Sequence, residues 1–254
     1  MQSLVVVAGN TFRETIRDKI LYNLVLFALL LIGTSVLLST LTIGEQARIV
    51  TDLGLAAINL VAVIIAIFVG IGLVTKEIER RTIYTILARP ITRVQFILGK
   101  YLGLGFIVAV NIAIMFVMFL ATIWISGHAI YGSLFQAVEL ILVETLLVMA
   151  IAMFFSTFSS STLSATMTLG LYIIGHLTSD LKGIAEKSKS QLNEAVLTAL
   201  YYICPNLELL NIKGQAAAGV PVSLAYQSLA TVYGLFYASL LLVAACVIFQ
   251  RRDF

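Results

Sequence analysis

The sequence predicts an all-α integral membrane protein with about six transmembrane helices, and three observations support this fold class. Of the 254 residues, 60% are hydrophobic and only 11% are charged, and the mean hydropathy is +1.04. Soluble domains carry roughly 25% charged residues, because water must solvate their surface. The chain also contains long uncharged intervals, and its basic residues concentrate between alternate intervals. We therefore expect lipid to face most of the exterior.

The uncharged intervals give the positions of the spans, since a transmembrane helix needs about 20 largely apolar residues. A turn-like patch at Gly127–Gly132 separates the third span from the fourth, and the polar run Ser159–Thr162 separates the fourth from the fifth. The predicted spans are about 20–41, 53–74, 101–126, a fourth that ends near 155, 163–176 and 229–249.

The basic residues predict the orientation of these spans. Three precede the first span, six lie in the 76–100 segment and two follow the last span, which makes eleven of the sixteen in the chain. Cytoplasmic loops carry an excess of Lys and Arg. Both termini and the 76–100 segment are therefore predicted to be cytoplasmic.

Residues 1–19 predict an amphipathic helix that lies in the membrane interface ahead of the first span. Apolar residues recur there at helical spacing opposite a polar face, as in interfacial helices. The apolar face holds Leu4, Val5, Ala8, Phe12, Ile16 and Ile20, and the polar face holds Asn10, Arg13, Glu14 and Arg17.

The 177–228 segment is predicted to be a long outer loop that contains a second amphipathic helix. Leu192, Val196, Leu200 and Ile203 follow helical spacing, and Pro205 stops the pattern. Such a helix would rest on the outer leaflet. An ordered cap over the bundle, without a ligand, is the simpler interpretation of this loop.

The cytoplasmic 76–100 segment predicts a helix, a sharp bend and a second helix. Pro90 disfavours helical geometry at Arg89 and so ends the first helix. Thr92 and Gln95 have the spacing of a capping box, which would start a helix that runs into the third span. Two interpretations remain open from the residues alone. The segment either fixes topology and touches anionic lipid headgroups, or it docks a soluble partner.

Several motifs resemble the ABC-2 type transporter permeases. Glu77-x-Glu79-x-x-Thr82, Leu87-x-x-Pro90-x-x-Arg93 and Leu98-Gly99-Lys100 are similar to the cytoplasmic signature of that family. The ending Phe249–Phe254, the pair Pro205-Asn206 and the interfacial helix are similar too, so the resemblance covers essentially the whole chain. It is strongest to the bacterial subgroup of sodium-export, gliding-motility and nitrous-oxide-reductase maturation permeases. Arg81 departs from the pattern, because many relatives have glycine there.

The resemblance implies a single permease domain over 1–254 with ABC-2 (type V exporter-like) architecture in the bacterial inner membrane. It implies an export subunit that pairs with a second copy, as a homodimer, above two separate ATPase subunits. The 76–100 segment would be the coupling helix that docks on the ATPase. The residues that match it, with neighbouring arginines, are Glu77, Glu79, Arg80, Arg81, Thr82, Leu87, Arg89, Pro90 and Arg93.

The sequence predicts no catalytic site, cofactor or metal in this chain. It lacks the G-x-x-x-x-G-K-[ST] phosphate loop, so ATP and Mg are expected in the partner ATPase. Cys204 and Cys246 lack metal-ligand spacing, and His128 and His176 stand isolated in the sequence. No basic stripe interleaved with aromatics suggests nucleic acid.

Glu139 and Glu144 are the carboxylates within a predicted span, which makes them a candidate intramembrane polar site. They are five residues apart, about 140° around a helix, so they do not predict one paired acid site. Glu144 is expected about 15 Å deep and would serve either a structural role or a substrate or ion role. Glu139 is expected near the interface. Asn59 is interpreted as a packing residue, with Asn23 and Asn111.

Two other classes of function compete with the permease. An intramembrane lipid-modifying enzyme would need His, Asp and Glu clustered near one interface, but here they are separated in the sequence. A secondary transporter, with Glu144 as a proton relay, would favour inverted repeats and broken helices. The transported substrate is not indicated by the sequence.

Overall fold

The computed structural model describes residues 2–16, 19–39, 45–79, 92–187, 197–198, 201 and 203–251. All regular elements of this part of the chain are helical. They are α1 (Gln2–Ile16), α2 (Lys19–Ser39), α3 (Gln46–Glu79), α4 (Arg93–Ile125), α5 (Ser133–Ser156), α6 (Ser161–Lys187), a 3₁₀ helix (Leu207–Leu210), α7 (Lys213–Ala217) and α8 (Leu224–Arg251).

Four of the described helices are long and apolar enough to cross a membrane, by length and composition. Their apolar stretches are Gln46–Gly72, Arg93–Ile125, Ser133–Ser156 and Leu224–Arg251. A shorter apolar helix covers Leu24–Leu37, within α2. In this order, the four long stretches correspond to the predicted spans two, three, four and six. The shorter helix corresponds to the predicted first span.

Helix α5 is the centre of the bundle. It packs against α3, α4, α6, α7, α8 and the 3₁₀ helix. The seven consecutive side chains from Leu147 to Met153 are fully buried, so this part of α5 is enclosed on every side. A helix that is apolar all round is expected in such a position.

Helices α3 and α4 are longer than a membrane is thick. With 34 and 33 residues, each is about 50 Å long, against about 30 Å for the hydrocarbon core. Each can therefore extend beyond the membrane as a continuous helix. The end of the bundle that holds the end of α3, the start of α4 and the end of α8 is called here the predicted cytoplasmic end.

Helix α1 lies against α4 rather than only against lipid. A Cβ on Gly103 of α4 would be 2.6 Å from the carbonyl oxygen of Ala8, so only glycine permits this approach. Thr11 is buried at the contact, and the Phe12 ring lies 5.1 Å from the Phe106 ring. Arg13 is exposed, as the predicted polar face requires.

Both predicted turns are present. Gly127 follows α4 with a φ of +74°, a conformation that favours glycine. Residues 157–160 join α5 to α6, where the polar serine run was expected. These turns make α4, α5 and α6 successively antiparallel.

Two expectations about the outer segment differ from the structure or fall outside it. The fifth span was expected to end near His176, but α6 continues to Lys187. The charges that follow His176 end the apolar run without ending the helix, because Leu, Lys, Ala and Glu are good helix formers. Part of the predicted 177–228 outer loop is therefore helical. Most of the predicted amphipathic helix, including Leu192, Val196 and Leu200, lies outside the described residues.

Candidate functional site

The candidate coupling segment is described at its two ends. Helix α3 continues to Glu79, and the description resumes at Thr92, just before α4. Glu77 and Glu79 therefore belong to the last turn of α3, although their side chains are outside the described residues. The remaining predicted coupling residues before Arg93 also lie outside them: Arg80, Arg81, Thr82, Leu87, Arg89 and Pro90.

The predicted capping box at the start of α4 is confirmed. The Gln95 backbone N–H donates to Thr92 Oγ1, and the Thr92 N–H donates to Gln95 Oε1, both at 3.2 Å. These bonds satisfy two of the N–H groups that a helix start leaves unpaired. The helix that enters the third span therefore begins at a defined residue.

Arg93 joins the start of α4 to the end of α8. Its Nη1 donates to the carbonyl oxygens of Phe249, at 3.2 Å, and Gln250, at 3.0 Å. A cation is favoured at a helix C-terminus, where carbonyl groups are unpaired and the helix dipole is negative. The rings of Phe96 and Phe249 stack beside it, with centroids 6.2 Å apart. The two helix ends therefore form one unit, which we call the α4–α8 joint (Arg93, Phe96, Phe249 and Gln250).

The sequence predicts Lys100 at the end of the cytoplasmic 76–100 segment, but the structure buries its side chain in the bundle. It is only 4% exposed, and its Nζ lies 4.8 Å from the centroid of the Phe96 ring. The ring face attracts the ammonium group. The buried side chain of Lys100 therefore packs against the Phe96 ring of the α4–α8 joint.

The buried carboxylate predicted in the fourth span has partners on two other helices. Glu144 is 0% exposed, and its Oε1 lies 3.4 Å from Nε2 of His176 on α6. Asn59 of α3 and Tyr172 of α6 also face Glu144. None of these contacts has the full geometry of a hydrogen bond, so both carboxylate oxygens, Asn59 Oδ1 and His176 Nε2 are buried without an aligned partner among the described residues. We call these four residues the Glu144 cluster.

The sequence pattern does not predict this cluster, because His176 stands isolated in the sequence and Asn59 has the pattern of a packing residue. The distance of each residue from the turn between α5 and α6 is the signal that could have connected Glu144 with His176. Glu144 is about 18 Å from the end of α5 and His176 about 22 Å from the start of α6 by the helical rise, and the two helices are joined by a short turn.

Glu139 occupies a different environment from Glu144, as the 140° separation predicted. It is exposed and accepts hydrogen bonds from Gln227 Nε2 and, at 3.2 Å, from Thr231 Oγ1, both on α8. Gln136, one turn earlier on α5, donates to Gln227 Oε1 at 2.9 Å and to the Val222 carbonyl at 3.0 Å. Glu139 therefore belongs to a polar contact between the α5 and α8 starts.

The described side chains offer no obvious metal centre. No group of three His, Cys, Asp or Glu residues in the described ranges is placed to hold a metal ion. What the Glu144 cluster can hold is a proton, since it combines a carboxylate with an imidazole. The α4–α8 joint links two helix ends through hydrogen bonds and ring stacking.

Long apolar helices packed around an enclosed central helix define a multi-pass helical membrane protein. The chain belongs to the ABC-2 transporter family, because the family model described as "ABC-2 family transporter protein" matches residues 5–254. The expected family is thereby confirmed. Membrane subunits of this family are generally non-catalytic and work with an ATPase subunit. No curated protein matches the chain.

Proposed function

We propose that this chain is the permease subunit of an ABC exporter that is powered by a separate ATPase subunit. The observation that carries the proposal is the family match over residues 5–254. ATP and Mg would bind to the partner, and this chain would supply the path through the membrane. Two copies would pair as a homodimer within the lipid of the bacterial inner membrane, with both termini in the cytoplasm.

The 76–100 segment would receive the motion of the ATPase. It begins in the last turn of α3 and ends in the first turns of α4, and both helices continue from there into the predicted spans. A displacement there would therefore act on two spans directly. The α4–α8 joint extends the effect, because Arg93 holds the end of α8 to the start of α4.

Glu77 and Glu79 are the acidic residues proposed to contact the ATPase, together with the basic residues Arg80, Arg81, Arg89 and Arg93. Arg93 also has its contact with α8, so its role would include positioning the segment. Thr82, Leu87 and Pro90 would shape the docking surface. Lost charge-assisted hydrogen bonds typically cost about 1.5–3 kcal/mol each, so removing both acids should weaken the complex by at least about tenfold.

The test is affinity purification of the full chain from its native membranes in mild detergent, with ATPase activity and subunit ratio measured. The wild type is expected to bring down an ATPase subunit in equal amount. The double variant Glu77→Ala, Glu79→Ala should lose most of it.

A matched control removes two acidic groups from the opposite end of α3. Glu45, just before α3, and Asp52, in its second turn, are both exposed. Glu45→Ala with Asp52→Ala therefore makes the same change of charge near the opposite end of the same helix. This control should retain the ATPase. A homogeneous wild-type complex without any ATPase would overturn the proposal, and equal losses in both double variants would overturn the assignment of the docking residues.

A further inference from the structure

The Glu144 cluster is an unusual feature for the centre of a membrane protein, and the proposed ATPase partner gives it no role. Glu144 is fully buried near the middle of the 24-residue helix α5. An ionised carboxylate there is costly, about 2.5–3.5 kcal/mol even on insertion scales. Buried carboxylates normally have hydrogen-bond partners. Here neither oxygen has an aligned one among the described residues.

The orientation of the His176 ring determines what it can offer to Glu144. Its Nδ1 lies 3.3 Å from the carbonyl oxygen of Tyr172. A carbonyl only accepts, so this contact requires the hydrogen to be on Nδ1. In the neutral imidazole Nε2 then carries a lone pair, and it faces Glu144 Oε1 at 3.4 Å. Two acceptors face each other unless a proton lies between them.

The other groups around Glu144 do not replace that proton. Asn59 approaches from α3 and Tyr172 from α6, and the charged groups that act on it through space are Lys213 of α7 and Glu208 of the 3₁₀ helix. Lys213 attracts the carboxylate and acts on it more strongly than Glu208, which repels it. Glu208 also accepts two hydrogen bonds from Asn211. Asn59 and Tyr172 carry donor groups, but neither makes an aligned hydrogen bond to the carboxylate. His176 Nε2, at 3.4 Å, is the group placed to share a proton with it.

We propose that Glu144 and His176 form a proton-binding site that holds one exchangeable proton between α5 and α6. With one proton the pair has no net charge, whether the proton is on the carboxyl oxygen or on Nε2. Without it, a carboxylate faces an imidazole lone pair. The His176 side chain is 22% exposed whereas Glu144 is 0% exposed, so His176 is the member of the pair nearer the surface of the bundle.

Loss of the proton would be transmitted beyond the pair. Gly175, next to His176, lies so close to the 3₁₀ helix that a Cβ there would be 2.8 Å from Leu207 Cγ. Repulsion between Glu144 and His176 would move α6 away from α5, and α6 cannot move at this point without moving the 3₁₀ helix. The protonation state would thus control the packing of α6 and the 3₁₀ helix against the central helix.

The first test is the thermal unfolding midpoint of the full chain in detergent, measured from about pH 6 to pH 10. Above about pH 7.5 the unfolded chain binds almost no proton at either residue, whereas the proposed native pair binds one. Native stability must then fall as pH rises, by about tenfold in the folding equilibrium per pH unit, until the pair releases its proton.

Glu144→Gln is expected to abolish this fall. The glutamine amide can donate to Nε2 at every pH and has no proton to release. Glu139→Gln is the matched control on the same helix and should keep the wild-type fall. A Glu144→Gln profile that falls as steeply as that of the wild type would overturn the proposal.

A second measurement uses the native carboxylate and does not depend on that variant folding. The chain has two histidines, so ¹⁵N-histidine labelling of a His128→Gln variant reports His176 alone. The Nδ1 signal should remain that of a protonated nitrogen. The Nε2 signal should stay constant while the unfolding midpoint falls and should change at the pH where the fall levels off, because the native pair releases its proton there. A bare Nδ1, or an Nε2 signal that does not change where the fall levels off, would overturn the proposal.

Discussion

The guanidinium group of Arg93 binds the main chain of Phe249, 156 residues later, through an Nη1–carbonyl hydrogen bond of 3.2 Å. The same atom binds the carbonyl of Gln250 at 3.0 Å. The start of the third predicted span and the end of the last one therefore cannot separate without breaking charge-assisted bonds. The start of α4 is therefore coupled to the end of α8.

Replacing Arg93 with methionine should weaken the α4–α8 joint. The Arg93→Met variant keeps an unbranched apolar stem but removes the donors to Phe249 and Gln250. Hydrogen bonds to charged groups contribute about 1.5–3 kcal/mol, so a lower unfolding midpoint is expected in detergent. Arg13→Met, at an exposed position on α1, removes the same charge and should leave the midpoint nearly unchanged. Equal shifts for the two variants would contradict the role of the joint.

A methyl group at Gly103 should displace α1 from α4. In Gly103→Ala the added Cβ would meet the Ala8 carbonyl oxygen at 2.6 Å, and this backbone atom cannot rotate away. Overpacking of this kind typically costs about 1–3 kcal/mol, and thermal unfolding measures it. Gly170→Ala is the control, because no atom lies within 4 Å of its added Cβ. Since alanine is the better helix former by about 1 kcal/mol, Gly170→Ala should be neutral or stabilising. A Gly103→Ala protein as stable as the wild type would show that α1 is not held there.

Gln136 should hold the segment before α8 onto α5. It donates to the Val222 carbonyl and to Gln227 Oε1, and its Oε1 accepts from the Val222 N–H at 3.1 Å. In Gln136→Leu the Val222 amide loses its acceptor, so its hydrogen exchange should accelerate by at least about tenfold, as expected for about 1.4 kcal/mol. Ser239→Ala removes only a bond to the carbonyl of Leu235 within α8 and should not change that exchange rate. Unchanged protection of Val222 in Gln136→Leu would refute the prediction.

The thiol of Cys204 should react slowly. Burial raises the pKa of this thiol, and the thiolate is the reactive form. At a given pH the thiolate fraction is therefore smaller than for an ordinary cysteine. In a Cys246→Ala background, maleimide labelling should be at least about tenfold slower than at an exposed cysteine of ordinary pKa, about 8.5.

The comparison for Cys204 is a cysteine at exposed Val220, built as Val220→Cys with Cys204→Ala and Cys246→Ala. Its labelling rate should level off with rising pH while that of Cys204 continues to increase. Matching rate profiles would contradict both the burial and the raised pKa of Cys204.

Local sequence patterns predicted the parts of this fold that depend on neighbouring residues. The Thr92–Gln95 capping box, the turn at Gly127 and the serine turn after α5 each involve a few consecutive positions, and all are present. The end of α6 was predicted too early, because apolar content measures membrane burial rather than helix formation. The charges after His176 mark where the apolar run stops, and the helix continues.

Contacts between helices could not be predicted in the same way. From Leu147 to Met153 helix α5 is apolar on all sides, so this stretch of sequence does not indicate which side faces which neighbour. Glu144 and His176 are 32 positions apart on different helices, and their approach depends on the rotation of both. Arg93 was predicted as a residue that couples to the ATPase, and its bond to α8 was not predicted. That bond involves backbone carbonyls, which leave no trace in the identity of residues 249 and 250.

The enclosure of α5 has a consequence for biosynthesis. The ribosome completes α5 about 70 residues before it begins α8. In the folded protein, however, α8 packs against one side of α5. Until residues 224–251 arrive, the side of α5 that α8 will cover must face lipid or a chaperone. The protein cannot complete its centre during elongation. A chain that terminates before α8 would leave one side of α5 uncovered and open to the quality-control proteases of the membrane, even if its first spans had inserted correctly.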